Sequence, residues 1–250
     1  MKSNERVPEI SVIIPCYNLQ NVIETTVKNI IKTLDQFSNS FEIIIVDDGS
    51  TDNTLDIIKK LEINNKIIQT LTYSKNKGKG YAVKTGILES QGRSVVFIDG
   101  DLDIIADTIE NYIQELDKFD LVIGSKLSQN SEIQIRHSRK ILSDWFGSLV
   151  RLLTGLKIQD TQVGLKVGNG DSLRKIFKIM KVDGFAFDVE LLIFATKINL
   201  RIKEMPVKLK IMKKFRFNSA VKMFADIIII AYRDKILGEF DKKIEKVNQS

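Results

Sequence analysis

Three short apolar runs constrain this chain more than any other feature: Ile10–Ile14 (ISVII), Phe41–Val46 (FEIIIV) and Val95–Ile98 (VVFI). Each is β-branched or aromatic and continuous rather than alternating, the pattern of a strand covered on both faces. Lys66–Leu71 and Leu121–Gly124 read as two further strands. Stretches with helical spacing lie between them. Residues 19–36 place Val22, Ile23, Val27, Ile30, Ile31 and Leu34 on one face, and further helices are read at about 53–62, at about 80–90 and over Ile104–Lys118. Strand and helix in alternation, with short connections, mean right-handed βαβ units and a mostly parallel sheet. The predicted class is therefore α/β, with a mostly parallel sheet flanked by helices.

In such sheets ligands bind beyond the carboxyl ends of the strands. Pro15–Asn18, Asp47–Asp52, Ser74–Gly80 and Asp99–Asp103 all fall there, so four polar loops should converge on one crevice. Asp99, Asp101 and Asp103 sit at alternate positions, where like charges repel and raise each other's pKa. A divalent cation removes that cost. The bland alternative is an acidic turn in which Asp103 caps the next helix. A single cysteine, Cys16, and a single histidine, His137, exclude a disulfide framework and a Cys-based zinc site, and argue against a His-based metal site or a Ser-His-Asp triad. Any metal should be a hard cation held by oxygen. Asp47 and Asp48 can accept hydrogen bonds from a ribose or a base edge, whereas Thr51 and Asp52 suit a helix cap. The Lys75–Gly80 loop is basic and can meet a diphosphate, but it carries no phosphate-binding signature and by itself reads as a solvated loop rather than a phosphate cradle.

The second half is more helical. Residues 139–156 form an apolar helix with Ile141, Leu142, Trp145, Phe146, Leu149, Val150 and Leu153 on one broad face. Gln162–Val167 reads as a strand, 171–181 and 186–198 as helices, Arg201–Ile211 as a strand pair or bent strand, and 219–237 as a very apolar helix. Asp241–Ser250 reads as a frayed polar tail. One domain is expected over 1–215, with 216–250 a C-terminal amphipathic helix and tail packed on or beside it. Of 38 Lys+Arg and 32 Asp+Glu, the last 50 residues hold 13 and 6, so the basic excess lies wholly there and suggests an anionic partner. That stretch carries no standard nucleic-acid-binding motif, which argues against nucleic acid. The first ten residues lack the apolar core of a signal peptide, and no apolar run approaches the roughly 20 residues that span a bilayer. A cytoplasmic location is expected.

Four motifs in this order and spacing resemble glycosyltransferase family 2: Val12–Asn18 (VIIPCYN), Val46–Asp52 (VDDGSTD), Asn76–Gly80 (NKGKG) and Asp99–Asp101 (DGD). Gly124-Ser125, Asp160–Lys166 (DTQVGLK) and Gly184–Leu192 (GFAFDVELL) are similar to the branch of dolichyl-phosphate glucose and mannose synthases, leaning towards the glucose synthases. The resemblance covers about residues 9–210. It implies a single GT-A type domain with C-terminal amphipathic helices. It further implies an inverting transferase moving a hexose, with glucose favoured, from a nucleotide sugar to a polyprenyl (dolichyl-type) phosphate on the cytoplasmic face of a membrane. UDP-glucose is the favoured donor and GDP-mannose the second. Pro15, Tyr17 and Asp47 would hold the base and ribose, with Asn18, Asp48 and Ser50 nearby and Lys79 or its loop beside the donor. Asp99 and Asp101 match the metal-binding Asp-x-Asp, with Asp103 as a third metal-side group, for Mg²⁺ or Mn²⁺. Lys126, Arg139 and Ser143 would grip the acceptor phosphate, although branch members carry arginine where Lys126 stands, and lysine lacks the bidentate fork.

Two other readings remain open. A family 2 transferase acting on a glycan or other hydroxyl would need a general base, for which Asp188 and Glu190 are the candidates. A non-catalytic nucleotide-binding scaffold would show no metal-dependent cleavage of a nucleotide sugar. Branch members often continue into transmembrane helices. A chain ending at residue 250 is expected to dock peripherally through its two apolar helices, or to rely on a membrane-protein partner or a second copy of itself.

Overall fold

A computed structural model describes residues 7–102, 104–134, 137–210 and 217–248, with side chains described outside 137–145, 217–221 and 247–248. The first half comprises β1 (Ile10–Cys16), α1 (Ile23–Leu34), β2 (Phe41–Asp47), α2 (Thr54–Asn64), β3 (Ile68–Thr72), α3 (Lys79–Glu89) and β4 (Ser94–Phe97). There follow α4 (Ile109–Gln114), β5 (Leu121–Ser125), β6 (Glu132–Gln134), α5 (His137–Thr154), β7 (Lys166–Asn169), α6 (Gly170–Ile179) and α7 (Phe187–Lys197). The chain continues through β8 (Ile202–Pro206), β9 (Lys208–Lys210), α8 (Phe217–Lys235) and α9 (Glu239–Asn248).

A seven-stranded sheet runs in the order β3-β2-β1-β4-β7-β5-β8. Only β7 is antiparallel, to both β4 and β5. Strands β6 and β9 form a separate parallel pair. Successive strand residues divide between two cores, as a pleated strand requires. Ile13, Ile44, Val46, Val95 and Phe97 face α3, α6 and α7, while Val12, Ile14, Ile43, Ile45 and Val96 face α1 and α2. Both faces are covered, which is why these strands are continuously apolar.

Several boundaries differ from the sequence reading. Ile104 does not open a helix. It bridges to Leu209, and Ile105 N–H donates to the Lys208 carbonyl, so helical structure is confined to Ile109–Gln114 with a 3₁₀ turn on either side. The strand expected over Gln162–Val167 is displaced to Lys166–Asn169, because the Asp160 carboxylate accepts from Gln162 N–H and holds 160–165 as a loop. Arg201–Ile211 yields two strands in different sheets. The tail is not frayed. Glu239–Asn248 is helical, with Phe240 fully buried and stacked on Phe194 at a centroid separation of 4.3 Å. Glu239 is gripped by Arg233 at 2.9 Å and Lys181 at 2.6 Å, contacts that hold its carboxyl well below the usual value.

The last helix is thus part of the core. Phe240→Ala is expected to lower the free energy of unfolding by about 3 kcal/mol, the usual cost of emptying an aromatic site, as urea denaturation followed by circular dichroism would measure.

Candidate active site

The crevice lies at the carboxyl edge of β1, β2, β3 and β4, and its walls are tied to one another by specific side chains. The loop after β1 is laced to the loop after β2. Asn18 N–H donates to Ser50 Oγ at 2.9 Å, and Thr51 N–H donates to Asn18 Oδ1 at 2.8 Å. Asn18 holds this contact with a left-handed backbone, φ 53°, a conformation asparagine tolerates better than most residues. Asn53 N–H reaches Gln20 Oε1 at 3.0 Å. Pro15 is buried at the end of β1, and Tyr17 next to it is 41% exposed at the crevice rim.

Asp47 and Asp48 are both buried and do different things. Asp47 accepts from Ser50 N–H at 3.2 Å and Thr72 Oγ1 at 3.1 Å, which closes the β2 turn. Asp48 holds the basic loop. Its carboxylate accepts from Tyr73 Oη at 2.8 Å, Asn76 Nδ2 at 2.9 Å, Lys77 N–H at 2.7 Å and Gly78 N–H at 3.0 Å. A carboxylate buried without such donors would be strongly unfavourable. Gly49 makes this approach feasible: at φ 68°, a Cβ there would stand 2.7 Å from Asn76 N. The Ser74–Gly80 loop is therefore pinned against β2, and it delivers Lys79 into the crevice at the first residue of α3.

Lys79 Nζ lies 2.6 Å from Asp99 Oδ1. Burial opposes the Lys79 charge, but Asp99, Asp188 and Asp101 together outweigh it and hold its pKa above the ordinary lysine value. Burial lifts the Asp99 carboxyl above its usual range; Lys79 opposes the rise, while Asp101 and Asp188 add to it. Asp99 and Asp101 thus form a mutually repelling pair of hard oxygen donors, a set that fits Mg²⁺ or Mn²⁺. Among the described residues no group of three or more such ligands is placed to hold a metal ion. Asp103 lies outside the described residues.

The remaining expected residues separate. Asp188, in the first turn of α7, is buried beneath Lys79 and Asp99 and pairs with Lys166 at 2.6 Å. Glu190 does not reach the crevice. One oxygen accepts from Lys181 N–H at 2.9 Å and Val182 N–H at 2.7 Å, and the other meets Arg233 at 3.0 Å. These contacts tie α7 to Arg233 of α8. Lys126 pairs with Asp160 at 2.8 Å, in a shallow pocket also lined by Ser148, Arg151, Gln159, Thr161 and Gln162. The side chains of Arg139 and Ser143 lie outside the described residues.

Three features escaped the sequence reading. Gly164 packs so closely on Asp99 that a Cβ would fall 2.0 Å from Oδ2. Lys166 has no exposed surface. Thr161 Oγ1 and Gln162 Nε2 are buried without a partner in the Lys126 pocket. All lie in the Asp160–Lys166 stretch, whose run of polar residues and glycine between α5 and β7 was the available signal.

A profile of glycosyl transferase family 2 matches residues 11–177. A dolichyl-phosphate beta-glucosyltransferase of Dictyostelium discoideum is 35% identical, over 90% of this chain and 74% of its own length. Its counterpart in Saccharomyces cerevisiae is 32% identical over 88% and 73%, and that of Homo sapiens 28% over 90% and 75%. Glucosyl-3-phosphoglycerate synthase from Mycobacterium tuberculosis, solved with Mn²⁺, uridine diphosphate and phosphoglyceric acid, superposes with a TM-score of 0.67 at 19% identity, over 90% of this chain and 78% of that one. A Pyrobaculum calidifontis mannosyltransferase solved with GDP-Man and Mn²⁺ gives 0.60 at 20% identity, over 92% and 64%. The shared architecture is the GT-A fold.

Because Asp48 alone receives the 76–78 amides, Asp48→Ala should release the basic loop. Limited trypsin digestion is expected to cut after Lys75, Lys77 or Lys79 in the variant well before it cuts the unaltered chain, with mass spectrometry locating the sites.

Proposed function

The chain belongs to glycosyl transferase family 2, and on that premise we propose that it transfers glucose from a nucleotide sugar, UDP-glucose first, to a dolichyl-type polyprenyl phosphate. The observation that carries the reading is the Lys79–Asp99–Asp101 constellation at the carboxyl edge of the sheet, in a chain similar over nine tenths of its length to dolichyl-phosphate glucosyltransferases. In this reading Tyr17, Pro15 and the Asn18–Ser50 loop pair receive the base and ribose, and Lys79 turns from Asp99 towards the diphosphate. Asp99 and Asp101, with Asp103, hold Mg²⁺ or Mn²⁺. When bound, that cation stabilises the charge gathering on the departing nucleoside diphosphate, so no protein acid is needed.

The acceptor side supports a phosphate rather than a hydroxyl. A phosphate monoester has a second pKa of about 6 and is mostly dianionic at neutral pH, so it attacks without a general base. Neither candidate base stands free: Asp188 is buried against Lys166, and both oxygens of Glu190 are engaged. The Lys126 pocket offers an ammonium, the unpartnered Thr161 hydroxyl and the Gln162 amide as donors for the phosphate.

A lipid acceptor also requires a membrane surface. Among the described residues no helix is long and apolar enough to cross one. Helix α8 splits its apolar residues instead: Ile227 and Ile230 are fully buried, whereas Phe224, Ile228 and Tyr232 recur every four residues on the exposed face, with exposed Ile236 just past the helix end. With Ile229, Leu237 and Leu152 of α5 also exposed, this surface sits in the basic last fifth of the chain and its neighbourhood. We assign it to peripheral docking on an anionic leaflet, where each nearby Lys or Arg contributes about 1 kcal/mol.

Incubation with UDP-glucose, Mg²⁺ and a short polyprenyl phosphate should yield lipid-linked glucose, and chelation should abolish it. Asp101→Asn should slow transfer by about 100-fold or more, since a Lewis-acid contribution is worth several kcal/mol. Product formed only on soluble glycans would overturn the reading. Replacing both Ile229 and Ile236 by Asp is expected to abolish co-sedimentation with anionic phospholipid vesicles while leaving the melting temperature unchanged, because both side chains are already in solvent.

A further inference from the structure

Lys166 has no part in the chemistry above, yet it is the only lysine or arginine with no exposed surface among the described residues. Lysine is almost never fully buried unless paired. Its Nζ meets two partners, Asp188 Oδ1 at 2.6 Å and the Val163 carbonyl at 2.8 Å, and lies 5.5 Å from the centre of the Phe97 ring. Each contact leads to Asp99. Val163 immediately precedes Gly164, the residue packed on the Asp99 carboxylate. The Asp188 charge is felt by both Lys79 and Asp99. Phe97 ends β4, two residues before Asp99. A pair that served stability alone has no reason to sit here, because buried ion pairs are commonly replaced by apolar residues of similar volume without loss.

We propose that Lys166 is a positioning residue of the donor site: by bridging Asp188 and the Val163 carbonyl it fixes the 163–164 turn against Asp99 and keeps Asp188 beside Lys79, so that Asp99 holds the orientation in which it takes a cation. The proposal rests on Asp99 being a cation ligand. The Gly164 contact leaves Asp99 no room to turn towards the loop, and Lys166 is what keeps that loop in place.

The test is a calorimetric titration of pre-formed Mn²⁺·UDP into the full chain, beside thermal unfolding, for the unaltered protein, Lys166→Met and the double variant Lys166→Met/Asp188→Asn. The single variant strands the Asp188 charge and should unfold at lower temperature. The double variant removes both charges and should regain stability, yet bind Mn²⁺·UDP about 10-fold to 100-fold more weakly, the loss typical of removing a group that supports a metal ligand. A double variant that regains Mn²⁺·UDP affinity together with stability overturns the proposal. So does one that regains neither, because the pair then serves the fold alone. No binding of Mn²⁺·UDP by the unaltered chain would sink the donor-site reading itself and the proposal with it, whereas a change confined to the variants bears on Lys166.

Discussion

Buried or half-buried carboxylates at one end of a parallel sheet must each find a donor, and the loops of this protein are arranged around that requirement. Asp47 is met by a backbone amide and a threonine hydroxyl, Asp48 by the amides of the basic loop and two side chains, Asp99 by Lys79, and Asp188 by Lys166. The first two partnerships set backbone shape. The last two place opposite charges where a cation and a diphosphate would exchange with them. One edge of the sheet thus carries both the loop geometry and the electrostatics of the crevice, and the same aspartates serve both.

The C-terminal third completes this arrangement from behind. Helix α7 is buried on every side from Phe187 to Ala195, and so presents Asp188 to the crevice on a rigid support. Two residues on, Glu190 points the other way and ties α7 to Arg233 of α8. Arg233 also binds Glu239, so α8 and α9 are locked to α7 through one guanidinium. Because α8 is fixed on its inner side, its outer apolar row is held on a rigid body that also carries the crevice.

The alternation of strands and helices, the covered sheet and the position of the crevice were legible in the sequence, because continuous β-branched runs and their polar ends follow directly from burial on two faces. The strand-end aspartates and the basic loop were legible for the same reason. Less visible was the division of labour within each motif. Asp47 and Asp48 are adjacent and chemically identical, but only the approach of Asn76 past Gly49 makes Asp48 the keeper of the loop. Asp188 and Glu190 share a helix turn, and rotation about the helix axis sends one to the crevice and the other to α8. The tail from Asp241 looked free because it is almost wholly polar, and the aromatic that anchors its helix, Phe240, lies just before it.

Local sequence therefore determined which segments become strands and helices, which loops meet, and that the chemistry is of hard oxygen donors, since composition leaves one cysteine and one histidine. Tertiary structure alone decided which carboxylate meets Lys79 and which meets Arg233, that Lys166 and Gly164 stand behind Asp99, and that half of the Ile227–Ile230 run belongs to the core and half to solvent. The physical reason is that these outcomes depend on contacts between residues far apart in the chain. Burial and pairing are properties of a neighbourhood, and no single stretch of sequence contains its own neighbours.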